Sequence, residues 1–135
     1  VYPVKKDSLF TLSSKRFVEN VLGYRWITNY ASRSGLVKTM PGKKDIDTNP
    51  SSPTFSFYTE ANEKTYCVET PDGILPADKN GTTFLRYADT DISAAVCSDQ
   101  DIYKTISYGF PLEVLIDESD IERLFRLSFA YFEKK

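Results

Sequence analysis

The feature that most constrains the fold of this chain is a series of short segments in which apolar and polar side chains alternate. In the clearest segment, residues 24–30, alternate positions carry large or β-branched side chains, which are Tyr24, Trp26, Thr28 and Tyr30. Alternation with a period of two is typical of a β-strand that buries one face. The segment therefore predicts a strand with a heavily aromatic face.

Similar segments follow along the rest of the chain. Strands are predicted over residues 36–40, 54–59, 65–70, 82–87, 92–97, 102–108 and 112–116. Turn-forming groups such as Pro41-Gly42 and Pro71-Asp72-Gly73 separate several of them. Because helices do not separate these strands, the sheet is expected to be mostly antiparallel.

Helices are predicted near the two ends of the chain. Apolar residues at helical spacing, followed by a glycine stop, predict a short helix over residues 14–22. Near the C-terminus, Ser119 and Glu122 form a capping-box pattern that indicates a helix over residues 121–133. The same stretch also alternates as a strand, so a hairpin with residues 112–116 is the open alternative.

Together these elements predict one α+β domain. A length of 135 residues suits a single domain, and an aromatic content of 14% favours a packed sheet. A strongly curved, mostly antiparallel sheet is expected, and a lipocalin-like partial barrel is one form that would protect its edges. Residues 13–135 are interpreted as this domain, and residues 1–12 as a tether from a removed N-terminal anchor or signal.

The composition disfavours several classes of function. A formal net charge of −2 provides no strong field to attract nucleic acid. The absence of histidine removes the commonest general base and the commonest metal ligand. The sequence contains no glycine-rich phosphate-binding motif and no Cys-x-x-Cys redox motif. We therefore expect a protein that is not an enzyme, with no cofactor, no catalytic residues and no metal site.

Cys67 and Cys97 are the two cysteines of the chain. Both lie beside apolar, strand-like residues, and their even number favours a disulfide in a secreted or periplasmic domain. Such a bond would stabilise the fold by roughly 3–4 kcal/mol. The sequence therefore predicts one Cys67–Cys97 disulfide and an extracytoplasmic location, with two unrelated buried thiols as the alternative.

The aromatic side chains also raise the question of a ligand or partner site. One interpretation is that the rings form the core of the sheet. The other is that some of them line a cavity or a partner-facing edge, with arginines meeting the anionic head group of an amphipathic ligand. The candidate residues are Tyr24, Arg25, Trp26, Tyr30, Phe55, Phe57, Arg86, Tyr103 and Tyr108.

Acidic residues occur in two closely spaced pairs, Asp89 with Asp91 and Asp99 with Asp101. Paired carboxylates can hold a hard cation or act in acid and base catalysis. Both pairs lie at turn-like positions, so they are interpreted as solvated turns. The polar segment 43–53 is interpreted as the longest loop.

Part of the sequence resembles a known family. Val18-Glu19-Asn20-Val21-Leu22, followed by Arg25-Trp26, is similar to the start of the periplasmic domain of ToxS-type proteins. Ile106-Ser107-Tyr108-Gly109 resembles a late strand of the same family. ToxS-type proteins are single-pass inner-membrane partners of ToxR-like transcription activators, and the VtrC and PsaF/MyfF proteins are similar in layout.

The resemblance implies a calycin-like partial barrel that pairs with the periplasmic domain of a membrane-bound transcription regulator. Together the two proteins would sense an envelope signal such as a bile salt or pH. We therefore expect a non-enzymatic periplasmic co-sensor, tethered to the inner membrane, that stabilises a ToxR-like regulator and helps to bind its signal. The alternatives are a pilin or adhesin subunit and a secreted inhibitor or binding module.

Overall fold

The computed structural model describes residues 8–39 and 54–133 of the chain. The elements, in chain order, are α1 (Ser8–Phe17), a π-helical turn (Val18–Leu22), β1 (Tyr24–Thr28), β2 (Leu36–Thr39), β3 (Thr54–Ser56), β4 (Gly73–Pro76), β5 (Gly81–Tyr87), β6 (Ser93–Asp99), β7 (Lys104–Tyr108), a 3₁₀ turn (Leu112–Val114) and α2 (Glu118–Glu133). The predicted loop 43–53 and residues 1–7 of the predicted tether lie outside the described residues. The first helix begins at Ser8, earlier than the predicted start at residue 14.

The strands form two antiparallel sheets. Five of them make a curled sheet in the order β3-β2-β5-β6-β7, and β1 pairs with β4 in a separate ribbon. These pairings confirm the predicted α+β fold with a mostly antiparallel sheet. The outer strands β3 and β7 do not pair with each other, so the sheet forms a half-barrel rather than a closed barrel.

The larger of two cores lies between the five-stranded sheet and α2. Leu124 and Leu127 of α2 are buried in one cluster with Phe84 of β5. In the same cluster, the ring of Phe57 stacks on the ring of Phe110, with centroids 5.2 Å apart. Burial of these side chains fixes α2 across this face of the sheet.

The smaller core packs the π-helical turn and the ribbon against the opposite face of the sheet. Its buried residues are Val18, Tyr24, Ile74 and Val96. The π-helical turn ends at Gly23, which has a φ of 83°, and a Cβ atom built there would lie 2.5 Å from the Ser98 side chain. Both the left-handed backbone and the close approach to β6 require glycine, and the predicted helix end is confirmed.

The predicted strand over residues 65–70 is wrong. In this segment the Val68 N–H donates to the Tyr58 carbonyl, but no strand forms. The outer edge of β3 is already occupied, because the Ile116 N–H donates to the Ser56 carbonyl and Leu115 forms a bridge with Phe57. The alternating segment 65–70 therefore has no free strand edge beside it with which to pair.

Two further strand predictions also need correction. Residues 112–116 form a 3₁₀ turn and one isolated bridge instead of a strand, because Leu115 N–H bonds locally to the Leu112 carbonyl. The strand β4 was not predicted, because the preceding Pro71-Asp72-Gly73 indicated a turn. In the structure, Gly73 already pairs with Thr28 of β1.

The ambiguous C-terminal stretch is a helix, so the hairpin alternative is wrong. The helix is capped by Asp117 rather than by the predicted Ser119–Glu122 box. The Asp117 carboxylate accepts hydrogen bonds from the Ser119 N–H at 2.9 Å and from the Ser119 hydroxyl at 2.7 Å. An aspartate in this position satisfies a free N–H of the first turn and favours the helix start.

The orientation of α2 gives a direct test of the larger core. Leu124 is fully buried, and replacing it with alanine should lower the free energy of unfolding by about 2–5 kcal/mol through lost burial and the remaining cavity. Arg126→Ala is the control on the same helix, because its ion pair with Glu122 is exposed and should contribute less than about 1 kcal/mol. Urea denaturation of both variants measures the difference. Equal losses would contradict this packing.

Candidate functional site

Several of the predicted aromatic candidates belong to the two cores. Phe55 and Phe57 are only 1% and 2% exposed, and Tyr24 is also buried. Tyr108 is half-buried, and its hydroxyl shares a hydrogen bond with Ser128 of α2. These side chains therefore stabilise the fold by packing, and the structure does not gather them around a ligand cavity.

Trp26 is half-buried and holds the ribbon beside the larger sheet. Its Nε1–H donates to Asp72 Oδ1 at 3.1 Å. The backbone of Asp72 is bonded to the larger sheet. Its N–H donates to the Gly109 carbonyl at 2.8 Å, and its carbonyl accepts from the Tyr87 hydroxyl at 2.6 Å. Partial burial raises the pKa of Asp72, and the Trp26 hydrogen bond opposes that change. From the sequence, Asp72 is predicted only as part of a turn.

The remaining candidates are dispersed over the surface. Tyr30 is 72% exposed after β1, and Arg25 is exposed on that strand. Arg86 donates from Nη1 to the Asp91 carbonyl, which stabilises the turn between β5 and β6. Tyr103 is 38% exposed at the start of β7. The structure therefore does not unite the predicted set in one site.

The predicted Cys67–Cys97 disulfide is wrong, since both cysteines are free. Cys97 is buried in β6, and its Sγ lies 3.1 Å from Thr82 Oγ1. Cys67 lies beside the end of β3, next to the Val68–Tyr58 hydrogen bond. Cys67 thus lies in an irregular segment beside β3, whereas Cys97 lies in β6, three strands away in the order of the sheet.

The acidic pair at Asp89 and Asp91 has a structural role in the turns. Asp89 Oδ1 accepts from the Ser32 hydroxyl at 2.7 Å, and its Oδ2 accepts from the Arg33 N–H at 2.9 Å and the Ser34 N–H at 3.3 Å. Partial desolvation raises the pKa of Asp89, but these hydrogen bonds outweigh it and lower the pKa to about 2. Asp91 instead forms an ion pair with Lys38 at 2.9 Å.

An open groove of about 390 Å³ lies beside the end of β3. Its lining includes Phe57, Tyr58, Asn62 and Ile116. Among the predicted candidates, Phe57 alone contributes to it, and that side chain is almost fully buried. In the described part of the chain, no group of three or more acidic or cysteine side chains is arranged to hold a metal ion.

Two exposed apolar surfaces are the more distinctive features. The first, here called the first-helix patch, consists of Phe17, Val21 and Tyr103, which are 54%, 40% and 38% exposed. The Tyr103 hydroxyl donates to the Val21 carbonyl at 2.9 Å, so the patch joins the π-helical turn to the start of β7. Tyr103 is one of the predicted candidate residues, but Phe17 and Val21 were not predicted to take part in a site.

The second surface, here called the aromatic flank of α2, consists of Phe125, Phe129 and Phe132. These side chains are 46%, 59% and 44% exposed, and the rings of Phe125 and Phe129 stack with centroids 6.4 Å apart. The sequence predicts the helix over residues 121–133, but its pattern does not show which apolar side chains of that helix are buried. Clustered exposed aromatic rings of this kind mark interaction surfaces.

Comparison with known proteins gives no relative, because no protein-family model, curated protein or solved structure matches the chain. Among the helices of residues 8–39 and 54–133, none has both the length and the apolar character needed to cross a membrane.

The state of the cysteines can be checked directly with a thiol reagent. Protein purified without reductant and then denatured should show both thiols as free. In the native protein, half-buried Cys67 should react well before Cys97, which is 3% exposed. If the denatured protein had no titratable thiol, the cysteines would be joined in a disulfide and their assignment as free thiols would be wrong.

The hydrogen bonds to Asp89 predict a specific acid sensitivity. Because the folded-state pKa of about 2 lies below the ordinary 3.8, this carboxylate stabilises the fold above pH 4. That stabilisation should be lost as the pH falls from about 4 to 2. In Asp89→Asn, the unfolding free energy should be lower at pH 7 and its decline between pH 4 and 2 shallower. Glu69→Gln, at an exposed position, is the control and should follow the parent protein.

Proposed function

We propose that this protein is a non-enzymatic periplasmic co-sensor that binds and stabilises a ToxR-like membrane-bound transcription regulator. The resemblance of residues 18–26 to the start of ToxS-type periplasmic domains supports this proposal, and the periplasmic location and the tether rest on it. The half-barrel agrees in outline with the lipocalin-like partial barrel that the resemblance implies.

The observation that carries the proposal is the exposed first-helix patch. Phe17 and Val21 lie about one helical turn apart, and Tyr103 extends the apolar surface from β7. A helix of a small domain normally turns such side chains toward its core. Here Val18 enters the smaller core while its neighbour Phe17 remains 54% exposed, which leaves an apolar surface for a partner.

The position of this patch suits a partner anchored in the same membrane. The patch begins at the end of α1, the first helix after the proposed tether, so it is close to the tether along the chain. Two proteins tethered in one membrane are confined near each other, which raises their effective concentration. A patch of modest area can therefore support a stable complex between them.

The proposal is tested with the full-length protein in its native cells, by crosslinking and mass spectrometry. We expect recovery of a single-pass membrane protein that has a cytoplasmic DNA-binding domain. Phe17→Gln should weaken that interaction at least about tenfold, because an exposed aromatic side chain at the centre of a contact commonly contributes more than 1.4 kcal/mol.

Tyr66→Gln is the matched control, because Tyr66 is 53% exposed but lies outside the first-helix patch. It should leave recovery of the regulator unchanged. If Phe17→Gln recovered as much of the regulator as the parent protein does, the proposed role of the first-helix patch would be wrong. Recovery of no membrane-bound regulator by the parent protein would contradict the co-sensor function itself.

A further inference from the structure

We propose that the protein forms a symmetric dimer in which the outer edge of β7 pairs with the same edge of a second copy. The aromatic flanks of the two α2 helices would cover that junction. This interface is separate from the first-helix patch, so the inference goes beyond the proposed contact with a regulator and does not depend on it.

The outer edge of β7 carries backbone groups that are available for pairing. The Gly109 N–H donates to the Ala94 carbonyl at 2.7 Å, which makes Tyr108 and Ile106 non-hydrogen-bonded positions in the register between β6 and β7. Their N–H and C=O groups therefore point away from β6. Within the described residues, no backbone group pairs with them on that side. Such an edge is a template for another strand.

The aromatic flank of α2 stands beside this edge. Arg123 lies over the ring of Phe55, 4.4 Å from its centroid, and so marks the side of α2 that faces β3. Ser128 bonds to Tyr108 and marks the side that faces β7. With 3.6 residues per turn, Phe132 and Phe125 follow Ser128 on the side of α2 away from Arg123, whereas Phe129 lies nearly opposite the buried side of the helix. Phe125 and Phe132 therefore lie on the side of α2 that faces the outer edge of β7.

The edge of β7 is complementary to itself. A two-fold axis perpendicular to the sheet at Ile106 would place Ile106 opposite Ile106 of the second copy. The outward backbone groups of the two strands would then form paired antiparallel hydrogen bonds. Lys104 would face Tyr108 of the second copy, so like charges are not opposed.

The same axis brings the two aromatic flanks together. Tyr108 contacts Ser128, and the Lys104 Nζ donates to the Tyr131 carbonyl, so the level of Ile106 corresponds to the middle of the segment 128–131. Because the axis is perpendicular to the sheet, both α2 helices stand on the same face. Phe132, which lies close to this level on the β7 side of α2, would meet its counterpart across the axis.

The exposed area of the flank supplies less than half of a standard interface, so the paired strands must supply the rest. Three Phe side chains that are about half exposed offer roughly 300 Å² per protomer, against the ~800 Å² per partner of a standard interface. The paired strands would add to this area. Glu122 and Arg126 form an ion pair at 2.6 Å on the same helix and so add no net charge. A strand from another protein could pair with the edge, but a second copy also brings an identical flank in register.

The oligomeric state of the full chain provides the first test. Sedimentation equilibrium over a range of concentrations should show a monomer–dimer equilibrium. Phe132→Glu should weaken the dimer at least about tenfold, since each change of about 1.4 kcal/mol is tenfold and the substitution occurs twice in a two-fold interface. Phe17→Gln, in the other patch, should leave the equilibrium unchanged. A parent protein that is monomeric at all concentrations would overturn the proposal.

Hydrogen exchange measured by NMR provides a test of the same interface without a substitution. The Ile106 and Tyr108 amides should exchange slowly in the dimer and faster on dilution. The neighbouring Ser107 amide points toward Val96 of β6 and should stay protected in both states, which makes it an internal control. A dimer in which Ile106 and Tyr108 exchange rapidly would use another surface and would overturn the proposal, even if Phe132→Glu failed to fold.

Discussion

The structure depends on the burial of β6 on both of its faces. All residues from Ser93 to Ser98 are buried, whereas the other strands are buried on alternate residues or only in part. Serine and alanine occupy several of these positions, so both neighbouring layers can approach closely. The closest approach is at Ser98, because Gly23 at the end of the π-helical turn lies directly against its side chain. The ribbon and α2 therefore share one central strand as a common support.

The two layers that cover β6 are unequal. On one face, α2 fills the larger core with Leu124 and Leu127 but leaves its phenylalanines toward solvent. On the other face, a short ribbon and a π-helical turn cover a smaller area and leave Phe17 exposed. Neither covering layer buries all of its apolar side chains, so two apolar surfaces remain exposed. These surfaces are the basis of the two proposed interactions.

Polar side chains secure the junctions that apolar packing leaves open. Asp72 joins the ribbon to the end of β7, Asp89 holds the segment before β2, and Asp117 caps α2. Each carboxylate accepts hydrogen bonds from N–H or hydroxyl groups. Asp89, which belongs to one of the closely spaced acidic pairs, therefore has a structural role in a turn. Its spacing from Asp91 in the sequence could not show this role, because it does not show which N–H groups lie nearby.

The sequence by itself determined those features that depend on local patterns. Local patterns located the strands that pair on both sides, such as β5 and β6, and the glycine at residue 23 located the end of the first helical segment. Only the tertiary structure decided whether a candidate strand had a neighbour, so residues 65–70 stayed irregular while Gly73–Pro76 joined β1. It also separated Cys67 from Cys97 and divided the apolar side chains of α2 into buried and exposed sets. The physical reason is that hydrogen bonding between strands, disulfide formation and burial all require residues that are distant in the chain to come together. A local sequence pattern does not show which distant residues become neighbours in the fold.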